Sequence, residues 1–145
     1  MSGFHVAVGD SSSFSKTIGE SDVYLFAGIT GDFAPMHVNK AFMEKTVYKR
    51  QLAHGALLVG FMSTASVLAV GQQALTSDEV LVSLGYDRMR FLAPVYFGDT
   101  ITVDYRITAI DAERRRATAD ITIKNQDGTL VAVATNILKW VKNGG

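Results

Sequence analysis

The sequence predicts a single α+β domain in which a five-stranded antiparallel sheet wraps around one long central helix. Three observations favour this class. A chain of 145 residues has the size of one ordinary domain, so residues 1–145 are expected to form one folding unit. A strand pattern and helical segments come first, and four strand patterns joined by short turns follow. Between them lies a helical stretch that is apolar on almost every side.

The N-terminal third begins with a strand pattern over 13–18, followed by a predicted helix over 21–29 with Ser21 as its N-cap. The stretch 30–38 reads as irregular. Asn39 then precedes a short predicted helix over 40–46, because its side chain can accept a hydrogen bond from a free N–H of the first turn.

The central helix is predicted over 55–73. Its apolar run from Gly55 to Val70 is interrupted by Ser63, Thr64 and Ser66, and it is shorter than the roughly 20 residues of a membrane span. A helix with apolar residues all round has to be surrounded by other elements. We therefore expect a buried helix and no membrane segment.

Four strands are predicted after the central helix, over 80–91, 100–110, 117–125 and 130–141. Turn signals separate them at 93–99, at 111–115 and at Gln126-Asp127-Gly128. Strand, helices and then four consecutive strands indicate an antiparallel sheet curled around the apolar helix. That arrangement is the hotdog fold.

Composition excludes several classes of function. Lys plus Arg and Asp plus Glu each number 14, so no net charge favours nucleic acid or an anionic membrane as partner. The absence of cysteine excludes disulfides, thiolate zinc sites and cysteine nucleophiles. The first twenty residues lack a basic start followed by an apolar run, so a secretory signal is not expected and a cytoplasmic location is the simplest inference.

The three histidines are the candidates for a general base. His5 lies in an N-terminal segment that is expected to be loosely held at the surface. His37 follows Asp32 by five residues, and Pro35 stiffens the chain between them. A carboxylate and a neutral imidazole at one point can orient a water and remove its proton. On spacing alone, a capped turn with a structural histidine explains the pair as well.

His54 and Gly55 immediately precede the central helix, whose first N–H groups have no partner within the helix. Glycine allows a ligand to approach these donors, so the Gly55 N–H is a candidate for binding an oxyanion. Close packing explains Gly55 equally well, and a structural role is favoured for His54. Ser63 lies eight residues after Gly55 and can face the same side of the helix, although buried serines usually bond to a preceding carbonyl.

A metal site is the rival interpretation of these residues. Asp32, His37 and His54 could provide three ligands, but no HxH or HExxH spacing accompanies them. We therefore expect no metal.

The chain resembles the MaoC-like hydratases, also called (R)-specific enoyl-CoA hydratases. The family pattern is an aromatic-containing helix that runs into Gly-Asp-x-Asn-Pro-aliphatic-His, followed by His-Gly before a long apolar helix. It is matched by Phe26 to His37 and by His54-Gly55, and two later segments also resemble the family: Arg88-Met89-Arg90-Phe91-Leu92-Ala93-Pro94-Val95 and Gly98-Asp99-Thr100. One departure is Ala34, where the family usually has an asparagine that could hold the loop through side-chain hydrogen bonds.

The resemblance implies an enzyme, a hydratase (lyase) that adds water to trans-2-enoyl-CoA and gives (R)-3-hydroxyacyl-CoA, without metal or redox cofactor. Coenzyme A would be part of the substrate. By position, Asp32 and His37 would activate the water, the Gly55 N–H would bind the thioester oxygen, and Ser63 would lie beside the pair. The resemblance also implies a homodimer, or a higher oligomer built from dimers, with sheets joined edge to edge. A hotdog acyl-CoA thioesterase and a non-catalytic acyl-CoA-binding subunit are the alternatives.

Overall fold

The computed structural model describes residues 3–71 and 78–144. Within these residues, four helices and five strands follow one another in chain order: β1 (Ser11–Thr17), α1 (Glu20–Thr30), α2 (Pro35–Val38), α3 (Lys40–Met43), α4 (Gly55–Val70), β2 (Glu79–Phe91), β3 (Thr100–Asp111), β4 (Arg116–Lys124) and β5 (Leu130–Lys142).

The five strands form one antiparallel sheet in the order β1-β3-β4-β5-β2, which confirms the predicted fold class. Apolar residues alternate along β3, where Ile101, Val103, Tyr105 and Ile107 are all buried. Successive side chains of a strand point to opposite faces, so this alternation gives the sheet one apolar face. Helix α4 lies against β1 and β3 on that side, and Ser12 Oγ donates to the Ala65 carbonyl at 2.7 Å.

Helix α4 is less enclosed than its composition predicts. One face is buried, but Val67 and Leu68 are 52% and 54% exposed. The helix ends at Val70, where Gly71 adopts a positive φ of 76° and its N–H bonds to Val67. The last predicted positions, 72 and 73, lie outside the described residues. In the single chain, α4 is therefore covered on one side only.

The observed starts of the helices in the N-terminal third agree only in part with those predicted from the sequence. Gly19, not Ser21, is the N-cap of α1, and its N–H donates to Asp22 Oδ2 at 2.8 Å. This backbone bond lowers the pKa of Asp22. Asn39 caps α3 as predicted, since its Oδ1 accepts from Phe42 N at 2.9 Å. The stretch predicted to be irregular contains α2, with Pro35 at its first position.

The segment around His5 is bound to the sheet, so the expectation of a loose surface histidine is wrong. The His5 ring stacks on Trp140 with centroids 5.2 Å apart, and its Nε2 contacts the carboxylate of Glu79. Arg115 donates to the same carboxylate. This cluster joins the N-terminal segment, the start of β2 and the turn before β4.

The segment between α3 and α4 connects two parts of the fold. Leu52 N donates to the Met36 carbonyl at 2.8 Å, and Ala53 N donates to the Val95 carbonyl at 2.8 Å. These bonds hold the chain before α4 against the α2 loop on one side and against the β2–β3 connection on the other. Within the described ranges, no helix is both long and apolar enough to cross a bilayer.

Candidate active site

The loop that carries Asp32 begins where α1 ends. Gly31 adopts a left-handed conformation (φ 81°), and its N–H bonds to the Ala27 carbonyl at 2.8 Å. Asp32 follows, and its N–H donates a hydrogen bond to Thr30 Oγ1 at 3.2 Å. The glycine turn thus directs Asp32 away from the helix axis, and half of its side chain is exposed.

The main chain at Ala34 closes this loop. Its N–H donates to Asp32 Oδ1 at 3.2 Å, and its carbonyl accepts from His37 N at 2.9 Å. The asparagine expected at this position is therefore not needed to hold the loop, because Asp32 itself bonds the backbone two residues on. Pro35 then starts α2, which brings His37 back toward Asp32.

His37 is buried and has a defined orientation. Its Nδ1 lies 2.8 Å from the Leu52 carbonyl oxygen. A carbonyl only accepts hydrogen bonds, so Nδ1 carries the hydrogen and Nε2 keeps its lone pair. Nε2 lies 3.9 Å from Asp32 Oδ2. The acceptor nitrogen of His37 therefore faces the carboxylate.

The 3.9 Å between Asp32 Oδ2 and His37 Nε2 is too long for a direct hydrogen bond. A water about 2.8 Å from each atom fits such a gap and can donate to both. The side chains differ in exposure, 50% for Asp32 and 8% for His37, so a ligand can reach the pair from the carboxylate side. The structure thus places the two residues predicted from the sequence where they can share one water.

His54 is the third member of this cluster. It is 2% exposed, its Nε2 lies 3.0 Å from the Asp32 carbonyl oxygen, and its ring stacks on His37 with centroids 3.7 Å apart and planes inclined by 23°. Phe26 of α1 contacts the same ring at 4.7 Å. His54 therefore contacts both candidate catalytic residues, and the structural role favoured for it from the sequence stays a prediction.

The metal hypothesis has some geometric support, because Asp32, His37 and His54 offer ligand atoms within 4.8 Å of one another. The hydrogen bonds argue against it. His54 Nε2 faces a carbonyl oxygen at 3.0 Å and so carries a hydrogen, which leaves no lone pair on this nitrogen for a metal. The arrangement favours a hydrogen-bonded group.

Gly55 starts α4 without a side-chain cap, since its preceding residue His54 makes no capping bond. A Cβ at Gly55 would lie 2.8 Å from the Phe91 ring, so the close approach of this ring requires glycine. The first N–H groups of a 16-residue helix and its dipole favour a negative ligand. A cavity of about 310 Å³ lies at this end of α4, lined by Tyr48, Leu52, Gly55, Leu58, Phe91 and Pro94.

Ser63 is exposed on α4. Its carbonyl accepts from Ser66 Oγ at 2.6 Å, while the described residues show no hydrogen bond between its hydroxyl and Asp32 or His37. The role of Ser63 at the site stays a prediction.

Gln51 is a site residue that the sequence did not indicate. It is 8% exposed, and its Nε2 donates to the His37 carbonyl at 2.9 Å and to Tyr24 Oη at 3.0 Å. These bonds tie α2 to α1. A glutamine three residues before His54 carries no pattern of its own, so only the fold reveals this role.

The chain is similar to proteins of known family and structure. The family model described as "MaoC like domain" matches residues 5–128. An (R)-specific enoyl-CoA hydratase of Rhodospirillum rubrum is 38% identical over 110 residues, which are 76% of this chain and 72% of that protein.

Two solved structures support the fold. The (R)-hydratase from Aeromonas caviae involved in PHA biosynthesis superposes with a TM-score of 0.80 at 30% identity, over 92% of this chain and 96% of that chain. A hot-dog-like protein from Thermanaerovibrio acidaminovorans has a TM-score of 0.68 at 16% identity, over 96% of this chain and 86% of that chain, and shows the fold alone. These findings confirm the resemblance seen in the sequence, and the protein belongs to the MaoC-like domain family.

Proposed function

We propose that the protein hydrates trans-2-enoyl-CoA thioesters to (R)-3-hydroxyacyl-CoA and catalyses the reverse dehydration. One observation supports this most strongly: His37 Nε2, kept free by the Nδ1 bond to Leu52, faces Asp32 Oδ2 at 3.9 Å. The relative from R. rubrum, named as an (R)-specific enoyl-CoA hydratase, supports the choice of substrate and stereochemistry.

In the proposed reaction, Asp32 and His37 hold one water and take its proton as the oxygen attacks C3 of the enoyl group. The electrons of the C2–C3 double bond move toward the thioester carbonyl, and the resulting enolate oxygen meets the N–H groups at Gly55. The proton then passes from the pair to C2, so that water is added as a whole and no cofactor is consumed. A general acid–base pair of this kind contributes about 10²- to 10⁴-fold in rate. An oxyanion donor contributes about 3 kcal/mol.

The rival that uses the same carrier is an acyl-CoA thioesterase, in which the activated water attacks the carbonyl carbon. The fold does not separate the two reactions. The test is to incubate the protein with crotonyl-CoA and to follow the loss of the conjugated enoyl absorbance together with the release of free thiol. Because the chain contains no cysteine, a thiol reagent reports product only.

Loss of absorbance without thiol release, with (R)-3-hydroxybutyrate as the enantiomer recovered, is the result expected for the hydratase. Release of thiol with the double bond intact would instead indicate the thioesterase. If neither absorbance loss nor thiol release is seen with enoyl chains of several lengths, the result would favour a non-catalytic acyl-CoA-binding subunit.

We also propose that the protein works as a homodimer whose sheets join at β2. This strand is at one edge of the sheet, and Val80, Val82 and Leu84 along it are 48%, 36% and 49% exposed. A long apolar edge strand is usually covered in the native assembly. Sedimentation velocity should show a dimer that Leu84→Glu weakens, whereas Val47→Glu, at an 88% exposed position outside the sheet, should leave it unchanged.

A further inference from the structure

His54 contacts both candidate catalytic residues and is itself almost completely buried. Its Nε2 lies 3.0 Å from the Asp32 carbonyl oxygen, and its ring stacks on His37 at 3.7 Å. We propose that His54 is a positioning residue for the hydration: one N–H holds the Asp32 loop while the ring face supports His37. This inference rests on the proposed function and adds to it the group that keeps Asp32 and His37 correctly placed relative to each other.

The hydrogen bonds define which form of the His54 ring does this. The Asp32 carbonyl can only accept, so the hydrogen of the His54 ring is on Nε2. The other nitrogen, Nδ1, is buried and has no hydrogen-bond partner among the described residues. A second proton on Nδ1 would leave a buried N–H without an acceptor among the described residues. The geometry therefore favours the Nε2–H tautomer, in which His54 donates to the Asp32 carbonyl.

The Asp32 loop needs such an anchor, because half of the Asp32 side chain is exposed and its other bonds are local. Among the described residues, its carboxylate accepts a hydrogen bond only from the nearby Ala34 N–H, and its own N–H donates to Thr30 Oγ1. His54 supplies a bond from 22 residues away, at the start of α4. This bond sets the carboxylate relative to the helix start that is proposed to receive the enolate oxygen.

The stacked ring serves His37 in a different way. A planar ring 3.7 Å from the imidazole, inclined by only 23°, restricts rotation of His37 and keeps Nε2 directed at Asp32. When His37 holds the proton of the attacking water, the face of a neutral ring next to it is more favourable than a second donor or a cation. Phe26 contacts the His54 ring at 4.7 Å and limits its movement in turn.

Two substitutions separate the donor from the ring. His54→Gln keeps an amide N–H at the same number of bonds from the backbone and loses the ring, whereas His54→Phe keeps a ring and loses the donor. For His54→Phe we expect kcat with crotonyl-CoA to fall about 10- to 100-fold, with KM within about threefold, because misplacing a reacting group by about 1 Å costs roughly 10²-fold in rate. His54→Gln should recover at least about fivefold of this loss, since it restores the bond to Asp32.

A purely structural residue would give another pattern. If the two variants lose kcat equally and in proportion to a drop in Tm, or if His54→Phe keeps kcat within twofold of the unmodified protein, the inference is wrong.

A spectroscopic measurement on the unmodified protein does not depend on turnover or on variants that fold. With only three histidines, a ¹H–¹⁵N long-range correlation spectrum resolves each ring, and the His5→Gln protein assists the assignment. We expect His54 to be the neutral Nε2–H tautomer. In the His54→Phe protein, if it folds, the ¹³C shift of the Asp32 carbonyl should change.

An Nδ1–H tautomer for His54 would overturn the positioning role whatever the activity. Conversely, absence of hydration by the unmodified protein together with the Nε2–H tautomer would overturn the proposed function and leave the anchoring of Asp32 by His54 supported.

Discussion

The Nδ1 atom of His37 lies 2.8 Å from the carbonyl oxygen of Leu52, and this bond decides which ring nitrogen faces Asp32. Leu52 is itself held, because its N–H bonds the Met36 carbonyl and it forms a bridge with Tyr96. The orientation of the candidate base is thus set by the backbone before α4 and not by another charged side chain. A histidine oriented in this way can accept a proton without a rearrangement of the site.

Asp32→Asn should lower kcat for crotonyl-CoA hydration by about 10²-fold or more, since the amide cannot accept a proton from water. Its Oδ1 can still accept from Ala34 N, so the Tm should change little. His37→Ala should lose activity to a similar degree. Asp127→Asn makes the same chemical change in the β4–β5 turn and serves as the control. Hydration by both site variants at near the unmodified rate would show that Asp32 and His37 are not the acid–base pair.

Gly55→Ala should reduce both activity and stability, because the new Cβ would lie 2.8 Å from the Phe91 ring. Overpacking of this kind costs about 1–3 kcal/mol of unfolding free energy. Gly60→Ala, on the same helix with nothing within 4 Å of the added Cβ, should instead stabilise by about 0.5–1 kcal/mol. Urea denaturation measures the change in unfolding free energy for each of the two variants. Adding Phe91→Ala to Gly55→Ala should relieve the strain, and a double variant as unstable as the sum of the singles would contradict the proposed contact.

The Glu79 cluster predicts a loss of stability in acid. Hydrogen bonds from Arg115 and His5 lower the pKa of Glu79 from its ordinary value of 4.5 to about 2. A carboxyl whose pKa is lowered by folding stabilises the folded state above the unfolded pKa. This contribution is lost as the pH falls from about 4.5 toward about 2.

The Tm of the unmodified protein should therefore exceed that of Glu79→Gln at pH 7, and the difference should narrow between pH 4.5 and pH 2. Scanning calorimetry at several pH values measures this. A difference that is constant or widens over this range would contradict the pKa assignment.

Tyr105→Phe should destabilise the protein by about 1–3 kcal/mol, because a buried acceptor loses its donor. The Tyr105 hydroxyl donates to Asn136 Oδ1 at 2.7 Å, and Asn136 is fully buried. The Asn136 Nδ2 group donates to Ser83 Oγ and to the Gly85 carbonyl, both in β2. Tyr96→Phe removes a hydroxyl that has no hydrogen-bond partner among the described residues and should change the unfolding free energy by less than about 0.5 kcal/mol. Equal values for the two variants would contradict this assignment.

Much of the fold could be predicted because its elements carry local signals. The alternation in β3 and β4 and the turn around Gly128 place the strands within one or two residues. Two features were not predicted for physical reasons. Ser21 is a good capping residue, but Gly19 with Asp22 provides an equivalent cap two positions earlier. Composition shows that α4 is apolar all round, but it does not show how much of that surface the same chain covers.

The candidate site shows the same limit. The spacing of Asp32 and His37 indicated a pair, and Pro35 between them indicated a fixed turn. His54 follows Asp32 by 22 positions, and the hydrogen bond between them forms only in the folded chain, so the sequence alone favours no more than a structural role for His54. The His37 ring bonds the backbone carbonyl of Leu52, and the Gln51 side chain bonds the backbone carbonyl of His37. Every residue has a backbone carbonyl, so the identity of a residue does not reveal such bonds.

The closure of the Asp32 loop by the main chain of Ala34 has a practical consequence for protein engineering. Residue 34 has φ −55° and ψ 140°, a conformation open to most amino acids, and its side chain makes none of the loop's hydrogen bonds. A saturation library at this position can therefore vary the chemistry between the two candidate catalytic residues while the turn that aligns them stays intact.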